Sequence, residues 1–209
     1  MEKTLLNLVE TFYGKYKPYI PCPEKKVPGL KPDDPNLKAR LMAIYKLYVE
    51  NRGGFVEWDE ETMSNIDNAI SWLNDESKRW LLLYGSVGNG KTTLLKSISK
   101  LLGNNVVYSA QTIYDYFKEN ENLINIPPQK ILFIDDLGAE PEECKIFGEI
   151  RHPLSELLLR RYSWNAPTII ATNLPLEDIQ KRYGDRLYDR MLEMTFAMLY
   201  NSPSYRARG

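Results

Sequence analysis

The chain has 209 residues, 26% of them charged and 43% hydrophobic, with a formal net charge of −1. That length suits one domain with an appendage, and no overall basic field attracts nucleic acid, so any DNA contact has to be local. Two cysteines, Cys22 and Cys144, stand far apart with no Cys or His neighbour at metal-ligand spacing, which argues for reduced thiols and against a zinc module.

Residues 1–17 place Leu5, Leu8, Val9 and Phe12 at helical spacing. Six prolines between Pro18 and Pro35 then exclude a helix or a central strand and read as an extended connector. A helix is expected over 36–51, with Leu37, Leu41, Ile44, Tyr45 and Tyr48 along one face, closed by Gly53 and Gly54. These first 50 residues read either as a partner-docking appendage or as a flap on the main core. Asp59 is a good N-cap for a third helix bearing Met63, Ile66, Ala69, Ile70 and Leu73. No apolar run is long enough for a bilayer, and the first ten residues are too acidic and short for a signal peptide, so the expectation is a cytoplasmic protein without a membrane partner.

Residues 80–84, Trp-Leu-Leu-Leu-Tyr, read as a buried strand that breaks at Gly85. Then come Ser86, Val87, Gly88, Asn89, Gly90, Lys91, Thr92 and Thr93, and an apolar-periodic segment follows. The spacing Gly85-x-x-x-x-Gly90-Lys91-Thr92 between a strand and a helix start is the P-loop pattern. Its glycines let backbone N–H groups turn inward around a phosphate, and the helix N-terminus adds unpaired donors and partial positive charge. Lys91 contributes a mobile charge, and Thr92 a hydroxyl for Mg²⁺. The pattern implies a bound nucleoside triphosphate.

A short strand is expected over 106–109, and a helix over 112–120 whose Tyr114, Tyr116, Phe117 and Lys118 read as core more readily than as a stacking surface for single-stranded DNA. Residues 131–136, Ile-Leu-Phe-Ile-Asp-Asp, form a second apolar strand ending in carboxylates. Only the C-terminal end of such a strand reaches the ligand crevice of an open α/β sheet. There Asp135 suits Mg²⁺, and Asp136 suits polarising an attacking water. Residues 142–162 read as helical, with Pro153 starting or kinking one segment. His152, the only histidine, reads as structural. Another buried strand, 168–173, ends in Thr172 and Asn173, whose amide can orient water against a γ-phosphate. Short helices are expected over 176–183 and 185–192, split by Gly184, then a last strand over 194–200 and a polar basic tail. Four or five apolar strands alternating with helices predict a parallel sheet covered on both faces.

Taken together, residues 85–92, the Asp-Asp-Leu-Gly-Ala-Glu of 135–140, Thr172-Asn173, the Tyr-Gly-x-Arg-x-x-Asp-Arg of 183–190 and the Ser-Tyr-Arg-Ala-Arg of 204–208 resemble AAA+ ATPases. More narrowly, they are similar to the DnaC-type loaders of bacterial replicative helicases and the related IstB-type ATPases of transposition. The resemblance covers residues 51–209, which it makes an AAA+ ATPase domain with a five-stranded parallel sheet, beside a 1–50 appendage. It implies ATP and Mg²⁺ held between subunits of an ATP-dependent homo-oligomer. It matches Lys91 and Thr92 to Walker A, Asp135 and Asp136 to Walker B, Asn173 to sensor 1 and Arg190 to the arginine finger, with Arg186 as rival. Two features depart from the common AAA+ pattern. Asp136 stands where many members carry Glu, which leaves Glu140 as an alternative, and about ten residues after the last strand leave no room for a helical lid. A replicative helicase is the expected partner. The other readings are a transposition ATPase that meets a transposase on duplex DNA, a nucleotide-dependent adaptor with negligible hydrolysis, and a small P-loop kinase.

Overall fold

The computed structural model describes residues 34–75, 77–104 and 106–201. The expected helix over 1–17, most of the proline connector, Cys22 and the basic tail lie outside the described residues. Two helices come first, α1 (Leu37–Glu50) and α2 (Glu60–Asn74), then β1 (Trp80–Gly85), α3 (Lys91–Leu101), β2 (Tyr108–Ser109) and α4 (Ala110–Asn120). After β3 (Leu132–Leu137) come β4 (Cys144–Ile146), β5 (Glu149–Arg151), α5 (Pro153–Ser163) and β6 (Thr168–Thr172). The described chain finishes with α6 (Leu176–Tyr183), α7 (Asp185–Met194) and β7 (Thr195–Tyr200).

Five strands form one sheet in the order β2-β3-β6-β1-β7, every pairing parallel. The expected five-stranded parallel sheet between helices is therefore the observed one. Because side chains alternate across a strand, β1 feeds two cores. Leu81 and Leu83 join Leu41, Ile66, Trp72, Leu94 and Ile98 from α1, α2 and α3. Trp80 and Leu82 join Phe117, Leu157, Ile179 and Met191 from α4, α5, α6 and α7. Parallel strands buried on both faces have to be apolar throughout, which is why these runs stand out in the sequence.

Local chemistry sets the helix starts. The Asp59 carboxylate accepts from the Thr62 N–H at 2.8 Å, and the Ser109 hydroxyl accepts from the Thr112 N–H at 3.0 Å, so each caps a first turn. Pro153 occupies the first turn of α5, where its missing N–H costs nothing. Within α4, Tyr114 and Phe117 are buried and Tyr116 is exposed. In α1, Leu37, Leu41 and Tyr45 enter the core beside α3, so this helix packs on the sheet domain. The fully buried Arg161 donates to the carbonyls of Lys130 and Pro167 at 2.7 and 2.5 Å, tying the entry of β3 to that of β6.

One expectation needs correction. Residues 144–151 are not helical; β4 and β5 form an antiparallel hairpin with Ile146 opposite Glu149. Its two-residue loop, Phe147-Gly148, has φ of +50° and +84°. Positive φ at both central residues is the turn that follows the twist of paired strands. A phenylalanine in that position is uncommon, and sequence pattern points elsewhere.

Candidate nucleotide site

At the end of β1 the chain turns sharply beneath β7. A Cβ on Gly85, at φ +125°, would lie 2.1 Å from the Tyr200 carbonyl oxygen, so only glycine fits there. The Ser86 N–H donates to that same carbonyl at 3.1 Å, which pins the loop's entry. Inside the loop, the Asn89 amide donates to the Ser86 hydroxyl at 2.8 Å. Residues 86–90 lead into α3 with Lys91 as its first residue.

Lys91 is buried and folded back on the loop, its ammonium donating to the carbonyls of Gly85 and Ser86 at 2.9 and 2.5 Å. Burial pulls its pKa down, opposed by the charges of Asp136 and Asp135. The Thr92 hydroxyl donates to Asp135 Oδ1 at 2.9 Å, joining the start of α3 to the end of β3. Burial pushes the Asp135 carboxyl above the usual carboxylate range; neighbouring Asp136 adds to this, while the Thr92 bond and Lys96 oppose it.

A β-bulge sets the position of Asp136. Between Ile134 and Leu137 β3 advances three residues, while its partner β6 advances two, from Ile170 to Thr172. The extra residue gives Asp136 a φ of +53° and exposes it beside the buried Asp135. The Asn173 amide donates to Asp136 Oδ1 at 3.4 Å, so the ends of β3 and β6 meet there.

One open cavity of about 870 Å³ has Val87 to Thr93, Asp136 and Asn173 on one side, while Gly85, Ser86 and Asp135 are not among its lining residues. The opposite wall comes from α1 and the loop behind it, including Tyr45, Arg52, Phe55 and Val56. Sequence reasoning missed that wall, because Gly53 and Gly54 read only as a helix stop. The Tyr45 hydroxyl closes over the loop, 2.5 Å from where a Cβ on Gly90 would lie. The Arg52 guanidinium reaches the Thr93 hydroxyl at 3.4 Å. The volume and the inward loop suit a nucleoside triphosphate. Among the described residues no group of three or more His, Cys, Asp or Glu is placed to hold a metal. A hydroxyl and a carboxylate, the pair found at Thr92 and Asp135, match the few hard oxygen ligands that Mg²⁺ takes from a protein.

Other expected site residues fall elsewhere. Glu140 does not line the cavity; its buried carboxylate receives the Gly138 N–H at 2.8 Å and the Tyr183 hydroxyl at 2.5 Å. Arg190 and Arg186 are exposed on α7, and neither lines the cavity of its own chain. Arg190 donates to the Tyr162 hydroxyl at 2.9 Å, stacks on that ring at 4.8 Å and pairs with Glu193 at 3.5 Å. Among the described residues no helix is long and apolar enough to cross a membrane.

A family model described as RNA helicase matches residues 81–157, the stretch holding the loop and the carboxylate strand. No curated protein matches the sequence. Among solved structures, one of DnaI is 21% identical, with 71% of this chain and 87% of that one covered, at a TM-score of 0.47. One of the DnaC helicase loader is 20% identical, with 70% and 93% covered, at 0.48. Domain III of the Thermotoga maritima replication initiation protein DnaA is 19% identical, with 74% and 68% covered, at 0.51. With its parallel sheet, its P-loop pattern between β1 and α3 and this last similarity, the chain has an α/β P-loop fold.

Proposed function

We propose that this chain is an AAA+ ATPase of the helicase-loader type, which binds and hydrolyses ATP with Mg²⁺ and couples the cycle to its grip on a replicative helicase. The observation that carries the ATPase reading is the Thr92–Asp135 bond, with Lys91, Asp136 and Asn173 around the same cavity. The loader assignment follows the motif resemblance of residues 135–140 and 183–190.

In this reading the N–H groups of residues 86–91 wrap the phosphates, and the Lys91 ammonium exchanges its two loop carbonyls for phosphate oxygens. Thr92 and Asp135 hold Mg²⁺, which supplies charge neutralisation on the phosphates when bound. Asp136, exposed at the bulge, accepts a proton from the attacking water, and Asn173 orients that water through its amide. Phosphoryl transfer asks a protein chiefly for such positioning and charge.

Calorimetric ATP titration and steady-state turnover test this. Lys91→Ala is expected to weaken ATP binding about 10- to 100-fold, the scale of a charge-assisted contact. Asp136→Asn is expected to retain ATP binding and lose about two orders of magnitude or more in turnover. Unchanged affinity in the first variant rejects the P-loop role, and unchanged turnover in the second rejects Asp136 as the base. Capture of a DnaB-like hexameric helicase supports the loader role; filaments on duplex DNA with ATP favour the transposition ATPase instead.

A further inference from the structure

Asp136 sits in a backbone conformation that a residue with a side chain adopts only when its surroundings impose it. Three bonds fix the turn behind it. The Ala139 N–H donates to the Asp136 carbonyl at 3.0 Å. The Thr172 hydroxyl donates to the Leu137 carbonyl at 2.6 Å, and the Gly138 N–H donates to Glu140 Oε2 at 2.8 Å. The third leads out of the site, because the other oxygen of Glu140 accepts from the Tyr183 hydroxyl at 2.5 Å. Arg182 reinforces the contact: it donates to the Glu140 carbonyl, lies 3.7 Å from the Glu140 carboxylate and bonds Glu142 at 3.1 Å.

Tyr183 is the last residue of α6; only Gly184 separates it from α7, which carries Arg186 and Arg190. The buried Glu140 is therefore shared by the turn beneath Asp136 and the α6–α7 junction. Burying a paired carboxylate does little for net stability compared with an apolar side chain, and its best-attested use is to enforce one arrangement. Burial, then the Glu140 charge, pushes the Tyr183 phenol well above its ordinary value, so it remains a donor throughout the working range.

We propose that Glu140 and Tyr183 are positioning residues for ATP hydrolysis: their clasp holds the Asp136 turn in register with the α6–α7 junction, so that the placement of these helices sets Asp136 on its water. The proposal rests on the ATPase reading given above. It assigns to Glu140 a role other than water activation, and to Tyr183 one that follows from its hydroxyl.

The test compares wild type with Tyr183→Phe, Glu140→Gln and each of these combined with Asp136→Asn, in the full chain. Tyr183→Phe removes one oxygen and keeps the packing ring. Its kcat is expected to fall about tenfold, the scale of one bond to a charged group, with KM and ATP affinity within twofold, cooperative unfolding retained and the thermal midpoint lowered by roughly a few degrees only. In the Asp136→Asn background neither clasp substitution lowers the residual turnover further. Amide hydrogen exchange, read without nucleotide, is expected to quicken in Tyr183→Phe at both 136–139 and 185–190. Wild-type kcat in Tyr183→Phe, a loss that multiplies in the Asp136→Asn background, or faster exchange confined to α6 overturns the clasp. Wild-type protein that binds ATP without turning it over rejects the hydrolysis reading and the catalytic role together, and the exchange data still decide whether turn and helix are linked.

Discussion

Asp135 works against the stability of the nucleotide-free fold. Its folded pKa lies above the unfolded value because burial disfavours the charge. A group shifted that way favours folding at low pH, and its contribution is lost as pH rises through the folded value. As pH rises and the carboxyl ionises, its buried charge therefore becomes a liability until a cation compensates it. Asparagine keeps an oxygen for the Thr92 hydroxyl and for the Asp136 N–H, which donates to Asp135 at 3.2 Å, without the charge. Asp135→Asn is expected to raise the thermal midpoint at pH 7 in scanning calorimetry, with the gap closing towards pH 4, and to abolish the stabilisation that Mg²⁺ adds to ATP. Residues such as Lys91 and Thr92 are readable from sequence because the motif's spacing is local. The different placements of Asp136 and Glu140 are not, because they depend on a bulge in β3 and on a tyrosine 43 residues beyond Glu140.

Among the elements, α1 shows what periodicity does and does not convey. Its stripe of Leu37, Leu41 and Tyr45 is evident in the sequence, but which surface receives that stripe is a tertiary fact: it lies along α3, and Tyr45 hangs over the phosphate loop. Leu41→Ala is expected to cost about 2–5 kcal/mol in chemical denaturation, the range for emptying a buried leucine site. Deleting residues 1–35, which stops short of α1, is expected to leave a cooperatively folding, ATP-binding protein by circular dichroism and titration. The hairpin of β4 and β5 escaped pattern reading for a different reason. Its turn is set by two positive φ angles, one of them at Phe147, and no residue preference announces that.

For the whole molecule, the sheet puts the phosphate loop, both aspartates and Asn173 at one end, while α7 carries its arginines outside the cavity. The cations among the described residues that line the cavity are Lys91 and Arg52, and a further positive charge on the γ-phosphate is what accelerates slow intrinsic hydrolysis. If a second copy supplies it, Arg190→Ala protein binds ATP normally and turns it over poorly. Mixing it with Lys91→Ala protein then restores part of the rate, because one interface pairs an intact loop with an intact arginine. Wild-type turnover is expected to rise more steeply than linearly with protein concentration. The contrary result, full turnover in Arg190→Ala alone, assigns Arg190 to its contacts with Tyr162 and Glu193, an exposed pairing worth under about 1 kcal/mol.

The order of strands has a consequence for synthesis. β1, the strand that launches the phosphate loop, is flanked by β6 and β7, and the first residue of its nearer partner in sequence is Thr168. A chain still on the ribosome has made the whole loop long before either flanking strand exists. Until then the Gly85 turn lacks the Tyr200 carbonyl that anchors it. Contacts so distant in sequence close late and slowly. The nascent protein thus carries an unanchored phosphate loop until Tyr200 has been made, and nucleotide capture awaits the docking of β7.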